Sequence, residues 1–494
     1  MSETNEMNRK VIEVAIAAGR HYQQKQTGFL HYYHHQPKEL VHFTIPFYEN
    51  LLFALALLRS RLTENVREAQ SLLKKLLSFQ SANGNFPFYL HDYPKADHFA
   101  LAIQLLAPFY HIFKSFSHVL GQDLREAIEN AIHLLCSYLC QLLERHLFSS
   151  PLQIRAAFSL LACGEFFHQQ EWKEAAEALI GKLSFKLKLE DFLDSKAIAH
   201  LLVAFSLVET KAQAPIWKQL QEFIACSWQT NLSVYCGPCL KEKEDQSLVS
   251  DLYVLYMQFL TKQEILILKE NMEQLQAALI YPIKESESLF FLPANKEMSG
   301  KWQGLDWYFL NQEKWALSLV EKEEKVEETM MKSFAPLKLL WEGEKAAAYS
   351  LVCQGGNANI CYQWQNPYLK IDFTLSSSDE INPQNQREVA LFLDRYPELA
   401  IMLGQERSMV FNLGEKVSLS LQEGTTIFLV FDLLEGEGNF LGHISQANRP
   451  GREKAIDPKE GKIEDWTLFI RTLRRSKQCK IRLTIDLTQL QSSF

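Results

Sequence analysis

The densest group of reactive side chains falls between Phe79 and His98, in FQSANGNFPFYLHDYPKADH. Asn85, Tyr89, His91, Asp92, Tyr93 and His98 bring amide, phenol, imidazole and carboxylate groups into one connection, with Phe86 or Phe88 as a flat stacking surface. Such a set can hold a polar ligand and move protons on it, and scaffolds commonly place that chemistry on loops. The plainer reading makes Asn83-Gly84 a turn, the aromatics a plug over helix ends and Asp97 a helix cap.

Other stretches carry further groups. HYYHHQP contributes Tyr33 and His34 to the rim of a binding groove; adjacent histidines do not converge on one ion, so no metal site is expected. Trp302, Asp306 and Trp307 form an aromatic and acidic cluster suited to a sugar platform or to domain packing. GHISQANRPG places His443 and Arg449 in a turn-rich loop. Asp92 and Asp306 could flank a glycosidic bond as paired carboxylates. YCGPC, with Cys236 and Cys239, matches a thioredoxin-type redox sequence but lacks the strand before and the helix after it that lower a thiol pKa, so coincidence is expected.

The elements that must position these groups come in pairs. Apolar periodicity and breakers start the first members of helical pairs near residues 47, 97, 151, 195 and 245, a repeat of roughly fifty residues. Pairs with short connections must pack side by side to bury both faces, and several helices are apolar on more than one face, as helices of an inner ring are. An open solenoid or a closed α/α toroid both meet that requirement over residues 1–280, and the toroid, incomplete or of six hairpins, is the one expected. Residues 281–333 read as connecting strands and a charged linker, EKEEKVEETMMK from Glu321. Alternating segments such as LKIDFTL and KVSLSL dominate residues 334–494 and predict an antiparallel β-sandwich of about twelve to fifteen strands.

The 494 residues exceed what one core serves, so a multidomain chain is expected, α then β. With 47% hydrophobic and 22% charged residues and a net charge of −8, neither nucleic acid nor an anionic membrane is an expected partner. MSETNEMNRK has no apolar core of signal-peptide length, no later run is read as a membrane span, and the chain is expected to be cytoplasmic. Its nine cysteines fall largely in helical apolar patterns and read as reduced packing residues. No cofactor is expected, and the oligomeric state is not read.

A helical array followed by a large sandwich resembles the polysaccharide lyases of the heparinase, alginate lyase and hyaluronate lyase type. LLSFQSANGNFPFYL also looks like the glutamine-to-aromatic turn found between helices of other α/α barrels. The heparinase-type His-Ala-Asp motif has no counterpart, the corresponding region reading GGNANICYQWQNPYLKIDF. The resemblance implies an acidic oligosaccharide or polysaccharide as partner, bound in a cleft between toroid and sandwich, and possible cleavage by β-elimination. It makes Tyr89 or Tyr93 the base or acid, His91 the partner, and Asn85 with Arg449 the carboxylate-neutralising pair. Two alternatives stay open: a catalytically silent binding or scaffold protein of the same architecture, and a glycoside hydrolase.

Overall fold

The structure is a computed structural model that describes residues 3–34, 42–193, 195–208, 215–238, 251–261, 271–280, 296–302, 305–322, 335–342, 348–353, 358–376, 386–394, 400–404, 406, 408–420, 426–450 and 464–492. The chain divides into two compact units, Met1–Phe223 with Ser250–Phe291, and Ile224–Val249 with Leu292–Phe494.

The first unit carries α1 (Glu3–Tyr22), β1 (Tyr32–His34), β2 (His42–Thr44), α2 (Phe47–Arg59), α3 (Thr63–Leu77), α4 (Phe99–Phe116), α5 (Gln122–Arg145), α6 (Ser150–Phe166), α7 (Gln170–Lys186), α8 (Ser195–Leu207), α9 (Pro215–Cys226), α10 (Asp251–Leu260) and a 3-10 helix, Met272–Leu279. Helices α2, α4, α6, α8 and α10 each pack on the next, α10 packs on the 3-10 helix, and the 3-10 helix packs back on α2. That cycle is the inner ring of an α/α toroid, with α3, α5 and α7 outside it, each against its own hairpin partner.

Burial follows composition. From Leu51 to Leu58 every residue of α2 is fully buried, whichever way it faces, because the sequence LLFALALL has no polar stripe to turn outward. Outer helix α3 buries only Ala69, Leu72, Leu73 and Leu76, a single stripe at helical spacing. Its polar remainder faces water. The same sealing runs along most of α4 and α6. Segment Phe99–Val119, over α4, is long and apolar enough to cross a membrane by composition, which the sequence reading did not register; most of it is buried within the unit.

The second unit holds a short hairpin, β3 (Trp228–Gln229) with β4 (Val234–Tyr235), and two antiparallel sheets. The nine-stranded sheet runs β14 (Val410–Phe411), β17 (Gly438–Pro450), β18 (Glu464–Arg475), β12 (Gln386–Leu393), β9 (Ala348–Cys353), β8 (Leu337–Glu342), β7 (Trp315–Lys322), β6 (Leu305–Asn311), β5 (Lys296–Trp302). The six-stranded sheet runs β10 (Asn359–Gln365), β11 (Tyr368–Leu375), β19 (Cys479–Asp486), β16 (Thr426–Glu435), β15 (Lys416–Ser420), β13 (Ala400–Leu403). In β16 the residues Ile427, Leu429 and Phe431 are buried at every second position, and Phe431 meets Phe411 across the sandwich at 5.7 Å. A short helix, α11 (Thr488–Ser492), ends the described chain.

Two boundaries differ from the sequence reading. Strands β5, β6 and β7 are not a connection: they form a meander that continues into β8, so the sheet begins at Lys296. Residues 224–238, including the last residues of α9, group with the sandwich, where the Asn311 amide donates to the carbonyls of Cys226 and Trp228 at 2.8 and 3.0 Å. The charged run from Glu321 lies mostly outside the described residues.

Candidate active site at the end of the helical ring

The site is built by backbone pairing around the start of α2. Thr44 of β2 faces Tyr32 of β1, and the Thr44 hydroxyl donates to the Tyr32 carbonyl at 2.9 Å. Beyond Thr44 the extended chain pairs with the loop: Leu90 N–H donates to Ile45 at 2.9 Å, Phe47 N–H donates to Phe88 at 3.0 Å, and Pro46 bridges Tyr89. Asn50, fully buried one turn into α2, accepts from Leu30 N–H at 2.8 Å and donates to Pro46 O at 2.7 Å. Three separate segments are thereby fastened to the first turn of one helix.

The first half of the loop is structural. Gly84 adopts φ +90°, and a Cβ there would meet the Leu134 carbonyl oxygen at 2.6 Å, so glycine is required. Asn83 accepts from Asn85 N–H at 3.0 Å, and Gln80 donates to Gly84 O at 2.8 Å and to Ala131 O at 3.1 Å. Asn85 is fully buried, and its Nδ2 donates to Ala96 O at 3.1 Å within the loop, while its Oδ1 has no hydrogen-bond partner among the described residues. Phe86 is likewise fully buried, 4.4 Å from the Phe47 ring and 5.5 Å from that of Phe109.

The second half turns outward. Tyr89 is half-buried and its ring lies parallel to the exposed His91 at 5.4 Å. Asp92 accepts from Tyr89 N–H at 3.3 Å and stands 3.6 Å from His91 Nε2. Tyr93 and His98 are exposed, His98 packing on Phe88 at 4.5 Å.

A group that the sequence reading passed over dominates the electrostatics. Glu49, in the first turn of α2, has its carboxyl pushed up to about 7, first by burial, against a backbone hydrogen bond that lowers it, and with help from Glu273. An acidic side chain at this place would ordinarily be favoured by the helix dipole; desolvation wins. Burial raises the phenols of Tyr32 and Tyr89, and Glu49 raises both further, joined by Glu273 at Tyr32 and by Asp92 at Tyr89. Glu49, Tyr32, Tyr89, Glu273 and Asp92 thus share one acidic field. The cue available in the sequence was a glutamate, beside Asn50, opening a helix whose next eight residues, LLFALALL, are all apolar.

The remaining predicted residues belong to β1 and to the second unit. Tyr33 and His34 belong to β1. Trp302 ends β5 and Arg449 lies in β17; their side chains, like those of Tyr33 and His34, are outside the described residues. Asp306 pairs with Lys301 at 2.9 Å. Trp307 is 1% exposed, packed on Gly300 and stacked with Phe309, and so serves the sandwich core. The outward aromatic of that strand is Tyr308, as β alternation requires. His443 stacks on Phe469 at 5.2 Å. Cys236 is buried in the β3–β4 hairpin with its sulfur 3.6 Å from Cys226 O, and Cys239 lies outside the described residues. No set of His, Cys, Asp and Glu among the described residues could hold a metal ion.

No protein-family model matches the chain, and no curated protein matches it. Among solved structures it is similar to a Streptomyces coelicolor A3 chondroitin AC lyase in complex with chondroitin sulphate, at 9% identity and a TM-score of 0.49 over 98% of this chain and 79% of that one. It is also similar to a glycoside hydrolase, at 9% identity and a TM-score of 0.31 over 89% of this chain and 88% of that one.

Proposed function

We propose that the protein is a carbohydrate-active enzyme that cleaves a glycosidic bond at the end of the helical ring, with Glu49 as general acid and a neighbouring carboxylate as its counterpart. What supports this reading is the placement of Glu49 in the first turn of α2, close enough to Tyr32, Tyr89 and Glu273 to act on them electrostatically, where desolvation pushes its carboxyl up to about 7. A carboxyl of that kind holds its proton near neutrality and can hand it to a leaving oxygen, while a second, ionised carboxylate serves the other face of the sugar. Tyr89 and His91 offer the parallel rings and polar edges that a sugar needs for orientation.

A second reading, β-elimination on an acidic glycan, keeps Tyr89 or Tyr93 and His91 as its proton-transferring groups. Its support is the Tyr89–His91–Asp92 arrangement. The raised Tyr89 phenol suits an acid better than a base, and the acidic surroundings repel a uronate, so hydrolysis is preferred.

Incubation with neutral and uronate-containing polymers separates the readings. Hydrolysis releases reducing ends with no ultraviolet-absorbing product, falls by about 100-fold or more in Glu49→Gln, and declines as pH rises through about 7. Unsaturated product from a uronate polymer, lost in Tyr89→Phe and kept in Glu49→Gln, would instead establish elimination. No turnover on either class leaves neither reading standing.

A further inference from the structure

Arg155 lies in the interior of the ring at 2% exposure. Its guanidinium donates to the Tyr48 hydroxyl of α2 at 3.2 Å and the Gln104 carbonyl of α4 at 3.1 Å, and stands 3.2 Å from His200 Nδ1 of α8. Tyr256 of α10 feels Arg155, Arg59 and Tyr48 together, so groups from α2, α6, α8 and α10 converge on the axis. No carboxylate reaches Arg155 among the described residues. His200 brings no charge of its own, since burial, and next Arg155, pull its pKa to about 3. Two buried donors on α6 also have no partner among the described residues: Arg155 Nε, and Ser159 Oγ one turn further along the same face.

A guanidinium cannot shed its proton, and a buried ion without a counter-charge is heavily disfavoured. A water molecule would satisfy the donors but not the charge. We infer that Arg155 Nε and Ser159 Oγ bind a small monovalent inorganic anion, of which chloride is the commonest, on the axis of the ring. The size limit comes from the sealing of α2, α4 and α6, which leaves passage by local opening to a small ion and not to an organic acid. This site does not rest on the glycan reading, and its test contains no glycan.

Thermal unfolding of the full chain is followed in sodium chloride, bromide and gluconate at constant ionic strength. A saturable rise of roughly 2–4 °C is expected with chloride and bromide and not with gluconate, and it disappears in Arg155→Met. Equal curves in all three salts would overturn the inference. Should Arg155→Met fail to fold, crystals of the native chain soaked in bromide decide: an anomalous peak within hydrogen-bonding reach of Arg155 Nε and Ser159 Oγ supports the site, and no peak there refutes it.

Discussion

Two buried arginines, one in each unit, meet the same physical problem in opposite ways. Arg475 of the sandwich is 3% exposed, and its Nε donates to Glu388 at 2.7 Å while its Nη1 caps the carbonyls of Ser476 and Lys477. Glu388 sits where the register of β12 against β18 slips between Arg387 and Val389, and this irregularity aims its carboxylate at the arginine. Among the described residues, Arg155 has only neutral partners. In the sandwich a slip in strand register presents the counter-charge, whereas the groups that α2, α4 and α8 turn toward Arg155 are, among the described residues, all neutral.

The sharpest way to break the comparison is Glu388→Ala, which leaves Arg475 as isolated as Arg155. It should cost about 3–5 kcal/mol of the sandwich's stability, read from urea unfolding followed by a probe in that unit. A loss below about 1 kcal/mol would mean that the ion pair is not what the sandwich depends on.

Glu49 extends the contrast, because a carboxyl can give up its charge and a guanidinium cannot. Its folded pKa lies above the unfolded value, so the folded state binds the extra proton between about 4.5 and about 7. Stability from this group is therefore highest below that window, falls as pH rises through it, and is flat above. Relative to Glu49→Gln, the native chain should lose about 1–3 kcal/mol between pH 5 and pH 7.5. Parallel curves for the two proteins would refute the raised carboxyl.

Arg155→Met in chloride-free buffer is the third comparison. Replacing an unanswered buried charge with an apolar chain of similar length should leave the helical unit as stable as before or raise its stability by up to about 4 kcal/mol. A loss near that of Glu388→Ala would show that the neutral partners already suffice. The smallest effect belongs to the exposed His91, where His91→Ala should shift unfolding by less than about 0.5 kcal/mol while weakening any glycan binding at the site.

Much of the architecture was legible in the residues. Predicted pair starts near 47, 97, 151 and 195 agree with helices beginning at Phe47, Phe99, Ser150 and Ser195, which are inner-ring helices, and the fifth, near 245, lies outside the described residues. They could be read because a helix buried on all sides, such as LLFALALL, leaves a signature that no partner is needed to interpret. The edge of the sandwich was not legible, since β5 to β7 resemble any short strands until their pairing with β8 is known.

For the candidate site the division is similar. The spacing of Tyr89, His91 and Asp92 by itself put three polar groups on one turn, and periodicity by itself demanded a ring of paired helices. Only the tertiary structure decided that Asn85 and Phe86 face inward, that Glu49 joins Tyr32 and Tyr89 from three segments, and that Arg155 meets no carboxylate among the described residues. The physical reason is range: turn and helix preferences act over a few neighbouring residues, whereas desolvation and charge act through space on groups that the sequence leaves far apart.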